Sequence, residues 1–482
     1  MSSSEGGAIH KFITTYTDGL KYSSLDGWIN WLGDWGVSRG MFLAALFAAE
    51  YLWLLHLIPH LPLYTFNWLV GTAPIWLPII LIMGAWRIWM WYVQSLFLSG
   101  RNPILLEMKV PREITKSPRA MEIAFSLFSI SSGETTFIHR AWKGQVRPFF
   151  SFEIASFGGE LHFYIWTWKN YKSEVESAIY GQYPEVELYE VEDYATEFEF
   201  DPEKHNVFCT DWRLEAYHSG LKADSMAMNA YQPKTYIDFE LDKDPKEEFR
   251  VDPLATILEF MSNIEPQEQI WVQIIIRKCG KQGILFTHDQ DHDWMREVEH
   301  EVEKIRTKAA VISGHTIETV LSELGEDETP ARPPQPRATW KQTEQMKTME
   351  RHLGKYPFET GARGCYITTG HMHGPTYTGT RWLWKPLGNP NYMSQLRPRR
   401  YHNPFDYPWQ DVADFRWNLH ARRFFDAFRR RSFFHTPWVT PSNILTNETL
   451  ATLWHPPSST VQAPGLRRIP STKATAPSNL PK

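Results

Sequence analysis

Hydrophobic and polar positions divide the chain into stretches of different rhythm. From Met41 to Ile58 almost every residue is apolar, and Pro59 and Pro62 close the run. A second run opens near Ala73, passes through PIWLPIILIMGAW and continues as RIWMWYVQSLFL to Leu98. The first run and the opening of the second each hold roughly 18–20 residues, enough to cross a hydrocarbon core about 30 Å thick as a helix. The pattern therefore predicts two N-terminal transmembrane helices over 41–98, the tryptophan-rich end of the second lying along the interface. TFNWLVG, which carries no charge, is expected to be the loop between them. Lys11, Lys21 and Arg39 precede the pair, and Arg101, Lys109, Arg112, Lys116 and Arg119 follow it. The positive-inside rule then puts both termini in the cytoplasm of a multi-pass protein of the cell membrane. Residues 1–40 are polar and lack the basic start, apolar run and cleavage site of a signal peptide, so they are expected as a cytoplasmic segment. Glu50 and Arg87 interrupt the two runs at depths that would let them meet, which suggests an intramembrane ion pair. A proton relay through Glu50 and His56 fits less well, because two helices make a poor pore.

After residue 102 the rhythm shortens. ILLEMKV (104–110) alternates as a strand, and Ser117-Pro118 opens a helix through Met121, Ala124, Phe125 and Phe128. FFSFEIAS puts Phe150, Phe152 and Ile154 on one face, Gly158-Gly159 turns the chain, and ELHFYIWTW answers with Leu161, Phe163 and Ile165. A helix through Tyr171, Val175, Ala178 and Ile179 and the strand VELYEV complete a βαββαβ order over 103–200, the ferredoxin-like arrangement. Over 201–385 the expected elements are a strand at YIDFEL, a helix capped by Asp252, a strand at WVQIIIR, helices at 293–311 and 341–354, and a strand at GCYITT. They suggest a second α/β sandwich, with the proline-rich segment 326–338 as a linker. Residues 386–455 read as a basic, aromatic helical region and 456–482 as a disordered Pro/Ser/Thr-rich tail. The fold class expected is an α+β membrane protein.

Composition adds modest constraints. With 482 residues the chain can hold two or three domains, and 22 Trp suit membrane interfaces and aromatic cores alike. A net charge of -5 leaves any polyanion site to be local. Cys209, Cys279 and Cys365 form no CxxC pair and read as reduced, buried thiols.

The stretches LEMKVPREITKSPRAME, YGQYPEVELYEVEDY, YIDFELDKDPKEEFRVDP, FDYPWQD and ETLATLWHPP resemble a family of uncharacterised bacterial membrane proteins. In its longer members this region precedes a P-loop ATPase of the type IV secretion and conjugative DNA-transfer class. The resemblance covers roughly 100–290 and 395–482, on motifs specific in length and order. It implies a membrane-anchored module acting beside such a motor. G-x-x-x-x-G-K-[ST] is absent, and the sequence ends at APSNLPK, about where the ATPase would begin. ATP hydrolysis by this chain is therefore not expected, and a motor would act in trans.

Two constellations could carry chemistry. His288, Asp289, Asp291, His292 and Asp293 crowd one short stretch, with His371 and His373 elsewhere, and could hold Zn²⁺ or Mn²⁺. Against this, the stretch reads as a polar loop before a helix and lacks i, i+4 histidines. Arg416, Arg422, Arg423, Arg429, Arg430 and Arg431 interleave with Phe415, Trp417, Phe424, Phe425 and Phe428 on one expected helix. That surface suits anionic lipid, the acidic run Glu185–Asp193 of a neighbouring domain or subunit, or nucleic acid. The function expected is a non-enzymatic membrane anchor or assembly component, without cofactor, self-associating or partnered by an ATPase and meeting nucleic acid only indirectly. The alternatives are a membrane-bound metal-dependent hydrolase and a nucleic-acid-binding membrane protein.

Overall fold

The computed structural model describes residues 39–469 except 113, 115, 131–135, 216–225, 242–251, 283–287, 313–337, 390–393, 400–410, 412 and 460. All of the 326–338 linker but Ala338, and the segment 1–38, thus lie outside the described residues. Two compact units emerge, one holding residues 39–88 and 411–417, the other residues 89–399 and 418–469.

In the first unit, α1 (Arg39–Leu57) is followed by a short turn at Pro59-His60 and by α2, a single helix over Leu61–Ser99 whose residues from Trp89 onward belong to the second unit. TFNWLVG, expected as a loop, is helical. Nothing in it breaks the backbone ladder, and Pro62 sits in the first turn, where a missing N–H costs nothing. Among the described residues α2 alone is long and apolar enough to cross a membrane, and none of its apolar window is buried; Leu43–Leu57 is apolar but shorter. The longer helix also undoes the expected pairing of Glu50 with Arg87. Glu50 stands about 13 Å of helix before the turn and Arg87 about 39 Å after it. Both are exposed, and no ion pair joins them.

The second unit is built on one antiparallel sheet. Its elements, in chain order, are β1 (Pro103–Lys109), α3 (Arg119–Leu127), α4 (Phe137–Ala141), β2 (Phe149–Phe157), β3 (Glu160–Trp168), α5 (Lys172–Gln182), β4 (Glu187–Val191) and α6 (Tyr194–Glu197). They continue with β5 (Asn206–Glu215), α7 (Pro253–Ser262), β6 (Glu268–Lys278), the two-residue strands β7 (Lys281–Gln282) and β8 (His288–Asp289), α8 (Gln290–Ile312) and α9 (Trp340–Leu353). Last come β9 (Pro357–Thr368), α10 (Gly374–Arg381), β10 (Gln395–Arg399), α11 (Phe415–Arg429), β11 (Asn443–Thr446) and α12 (Asn447–Leu453).

Nine strands join in the order β10-β5-β9-β6-β2-β3-β1-β4, with β11 also on β9. The outer four on each side follow the same plan. In β1-α3-β2-β3-α5-β4 the sheet order is fourth, first, third, second; β5-α7-β6-β9-α10-β10 repeats it. The halves meet where β2 pairs with β6, Phe149 opposite Arg277 through Phe157 opposite Gln269. The boundary expected near residue 200 therefore divides the chain between two repeats, and one sheet runs across it.

Alternation assigns the faces. Phe150, Phe152 and Ile154 of β2, Leu161, Phe163 and Ile165 of β3, and Ile270, Val272, Ile274 and Ile276 of β6 join one core with α3, α5, α7, α8, α9 and α12. The intervening Phe149, Ala155, Tyr164, Trp166, Trp271 and Ile275 face the other way and meet Ala421, Phe424, Phe425 and Phe428 of α11. YIDFEL is a run of turns rather than a strand: Asp238 accepts from the Thr235 N–H (2.9 Å), and Glu240 has φ +56°. The segment expected as a disordered tail is partly built in. Leu466 and Ile469 bridge to Leu161 and Pro111, while residues 470–482 lie outside the described residues.

The spacing 421, 424, 425, 428 makes α11 amphipathic toward the sheet. Phe428 has no exposed surface whereas Leu419 is 47% exposed. Phe428→Ala should cost about 3–5 kcal/mol of unfolding free energy, and Leu419→Ala less than about 0.5 kcal/mol. Denaturant unfolding of the full-length protein in neutral detergent checks both.

Candidate functional site

The carboxyl end of α11 carries the densest chemistry in the second unit. The helix ends in a Schellman motif: Arg431 N–H donates to Phe428 O (3.1 Å) and Ser432 N–H to Ala427 O (2.9 Å). The left-handed position usually given to glycine is held by Arg431, at φ +48°. That backbone costs roughly 1–2 kcal/mol for a residue with a Cβ, and it drives the side chain down to the sheet. There the guanidinium, wholly buried, meets Glu153 of β2 through two 3.0 Å bonds and also binds Asp193. Glu153 accepts further from Ser151 (2.6 Å), Tyr194 (2.7 Å) and Gln273 (2.8 Å). Burial would raise the Glu153 pKa, but the Arg431 charge and these hydrogen bonds outweigh it and hold the carboxyl below its usual range.

A polar stripe continues across the repeat boundary. Arg363 of β9 donates to Gln273 (2.7 Å), Ser432 O (3.0 Å) and Ala427 O (2.8 Å), pinning the same helix end. Arg277 and Arg147 both pair with Glu359, and Arg277 stacks over Phe434 at 4.4 Å. Glu153, Arg277, Glu359 and Arg363 occupy alternate positions of β2, β6 and β9, and Arg147 joins them from just before β2.

Beside this stripe opens a pocket of about 270 Å³. Its walls are Phe149, Trp166 and Trp168, its rim includes Arg101, Arg429 and Arg430, and the last turns of α2 supply Ser95, Leu98 and Ser99. Asp193 and His435 also line it. His435 is buried, and its Nδ1 has no hydrogen-bond partner. Burial, then the charges of Arg277, Arg363 and Arg430, push its pKa down to about 3, so the imidazole is neutral at ordinary pH.

Of the six arginines expected as one contact surface, Arg431 is therefore structural. Arg422, Arg423, Arg429 and Arg430 are exposed; Arg423 stacks over Trp438 at 4.5 Å and Arg430 pairs with Asp426 at 2.8 Å. Arg416 is exposed too, in the first turn of α11, where its backbone N–H is capped by Asp411 (2.9 Å). Phe424, Phe425 and Phe428 point into the core and offer nothing to lipid or bases.

The expected metal stretch is divided between two elements. His288 and Asp289 form β8, while Asp291 and His292 fall in the first turn of α8. His292 is exposed, and the side chains of the other three lie outside the described residues. His373 occupies the N-cap position of α10 without a capping hydrogen bond, and its Nδ1 bonds the Thr376 hydroxyl (2.8 Å). A tighter group lies one turn on, where Glu297, His300 and Glu301 converge within 4.8 Å, but Glu301 is already engaged by Tyr231 (2.9 Å) and Lys304 (3.0 Å). The spacing E-x-x-H-E was its signal. Cys209 and Cys365, distant in sequence, stand opposite each other on β5 and β9, both buried. Comparison with protein-family models, curated proteins and solved structures gives no match.

Replacing Arg431 with Met leaves two carboxylates without their buried partner and should cost about 3–5 kcal/mol. Adding Glu153→Leu should recover part of that loss, so the double variant unfolds at higher denaturant than R431M. The acid limb of stability has a second source. His435 and His352, both held near 3 when folded, take up protons near 6.5 once unfolded. Their contribution is full above about pH 6.5 and fades as pH falls toward 3. His435→Phe should thus lose less melting temperature than the parent between pH 7 and pH 5.

Proposed function

We propose that this protein is a non-enzymatic membrane anchor and assembly module, held by α2, whose folded body serves a partner machine. The observation that carries the reading is the fit of the last turns of α2 within the second unit. Trp89 donates its indole N–H to Ala141 O (2.7 Å) and packs edge-on against Trp142 at 5.4 Å. Val93 is buried, and Gln94 accepts from the Thr436 hydroxyl (2.7 Å). Gly144, at φ +59°, lies so close that a Cβ would collide with the Val93 carbonyl. A flexible tether would need none of these contacts, which seat residues 89–94 in the second unit.

The two βαββαβ repeats are, in this reading, a fused pair of ferredoxin-like units, a scaffold without chemistry of its own. The resemblance to the membrane-anchored region of secretion and DNA-transfer ATPases supplies the partner class: a P-loop motor in trans, at the cytoplasmic membrane. The buried charges of Arg431 with Glu153, and of Arg277 and Arg147 with Glu359, are engaged with one another, as structural pairs are.

Full-length protein should remain in the membrane fraction after alkaline carbonate, and a chain beginning at Trp89 should be soluble with its sheet intact. Release of the full-length chain by carbonate would end the anchor reading. Gly144→Val should leave membrane retention unchanged but expose the 136–148 segment to limited proteolysis, because the close approach to α2 is lost.

A further inference from the structure

We propose that the pocket between α2, β3 and the end of α11 binds the phosphate of an anionic lipid headgroup, with Arg429 and His435 as its donors. Three features lead there. Cations gather at the rim, and Arg429 is the uncommitted one: it makes no salt bridge among the described residues, whereas Arg430 holds Asp426 and Arg101 lies over Phe97 (4.5 Å) and Trp168 (5.5 Å). The carboxylate in the pocket, Asp193, shares the buried Arg431 with Glu153, so that cluster keeps one negative charge, against which the lining sets Arg101, Arg429 and Arg430.

The second feature is the orphaned His435 Nδ1. A buried polar nitrogen without a partner costs about 1–3 kcal/mol, and the residue that carries this one lines the pocket. A neutral imidazole with a proton on Nδ1 donates one hydrogen bond and brings no charge of its own. In that tautomer it lacks an acceptor oxygen, and a phosphodiester supplies several.

Position is the third. Ser95, Leu98 and Ser99 belong to the last turns of α2 and Arg101 follows its end, where a helix crossing the membrane would meet the headgroups. The volume exceeds that of bare phosphate, and Trp166, Trp168 and Phe149 give the surplus an apolar wall suited to a glycerol backbone. The inference rests on α2 being the membrane anchor.

Native mass spectrometry of the full-length protein in maltoside detergent tests it, with phosphatidylglycerol as probe and phosphatidylcholine as control. One phosphatidylglycerol per chain should be retained, about tenfold in preference to phosphatidylcholine, equivalent to roughly 1.4 kcal/mol. Arg429→Gln and His435→Phe should each reduce retention to the phosphatidylcholine level. His435→Gln, which keeps a donor, should retain the lipid, and Arg422→Gln, on the same helix but outside the pocket, should behave as the parent. Equal retention of the two lipids, or parental retention in both R429Q and H435F, overturns the proposal. Displacement of phosphatidylglycerol by millimolar inorganic phosphate, sensitive to the same two substitutions, overturns the lipid assignment in favour of a soluble phosphate. Loss of carbonate resistance would defeat the anchor reading; lipid indifference in a carbonate-resistant protein would defeat only the pocket.

Discussion

Arg431 carries a full charge and no exposed surface, and the second face of the sheet is organised around how that charge is met. A guanidinium in such a place is tolerated only when each of its donors finds an acceptor. Glu153, Asp193 and the Arg429 carbonyl provide them. The three partners come from β2, from the loop after β4 and from the helix end itself, so the ion cluster fixes where α11 stops. Once it stops there, Ser432 and Ala427 present their carbonyls to Arg363, and Phe433 lies against Gly361, where a Cβ would come within 2.6 Å of the ring. The pocket beside His435 is a consequence of the same placement, since Asp193 and Arg429 form part of its lining.

The two repeats explain why so polar a cluster lies at the centre of a sheet. Each βαββαβ half ends in a strand, β2 or β6, whose outer edge would be unpaired if the half stood alone. Joining them satisfies both edges through nine consecutive register pairs. It also brings the outward residues of two former edges, Glu153 and Gln273 among them, into the middle of the assembly. Residues that an isolated half could expose to water must there be buried, and α11 with the 431–438 segment does the burying. Apolar residues alone would cover the seam as well; the charges add a requirement for one position of the helix end.

How much of this could be read from the chain depends on how many faces of a strand are buried. β1, β2 and β3 were visible because large apolar residues alternate along them. β5 was not, because Val207 and Cys209 are as deeply buried as Phe208 and Trp212, and polar Thr210 and Asp211 join them. Burial on both faces erases the period of two that marks a strand. YIDFEL had the composition of a strand and became turns because Asp238 bonds the preceding backbone. In the basic region the inward stripe at 421, 424, 425 and 428 was legible. The left-handed turn that sends Arg431 inward while Arg429 and Arg430 stay out was not, since arginine is a poor marker of that conformation. Pocket residues from 95–101, 149–168, 193 and 429–437 are brought together only by the sheet order, which no local pattern specifies.

The run Arg429-Arg430-Arg431 therefore contains three different physical situations in consecutive residues. Arg431 is enclosed, so salt in the surrounding water cannot screen it, and its worth lies in the geometry it imposes. Arg430 is exposed and shares its charge with Asp426 one turn back, an arrangement worth only a few tenths of a kcal/mol. Arg429 is exposed and shares its charge with no salt-bridge partner among the described residues, which keeps a guanidinium available at the rim at the expense of local repulsion from its neighbours. Two of the three positions are thus accounted for by the stability of the fold. The third gives the fold its carbonyl, which accepts from Arg431, while its side chain lines the same pocket as His435 and is a group held ready for an anion from outside the chain.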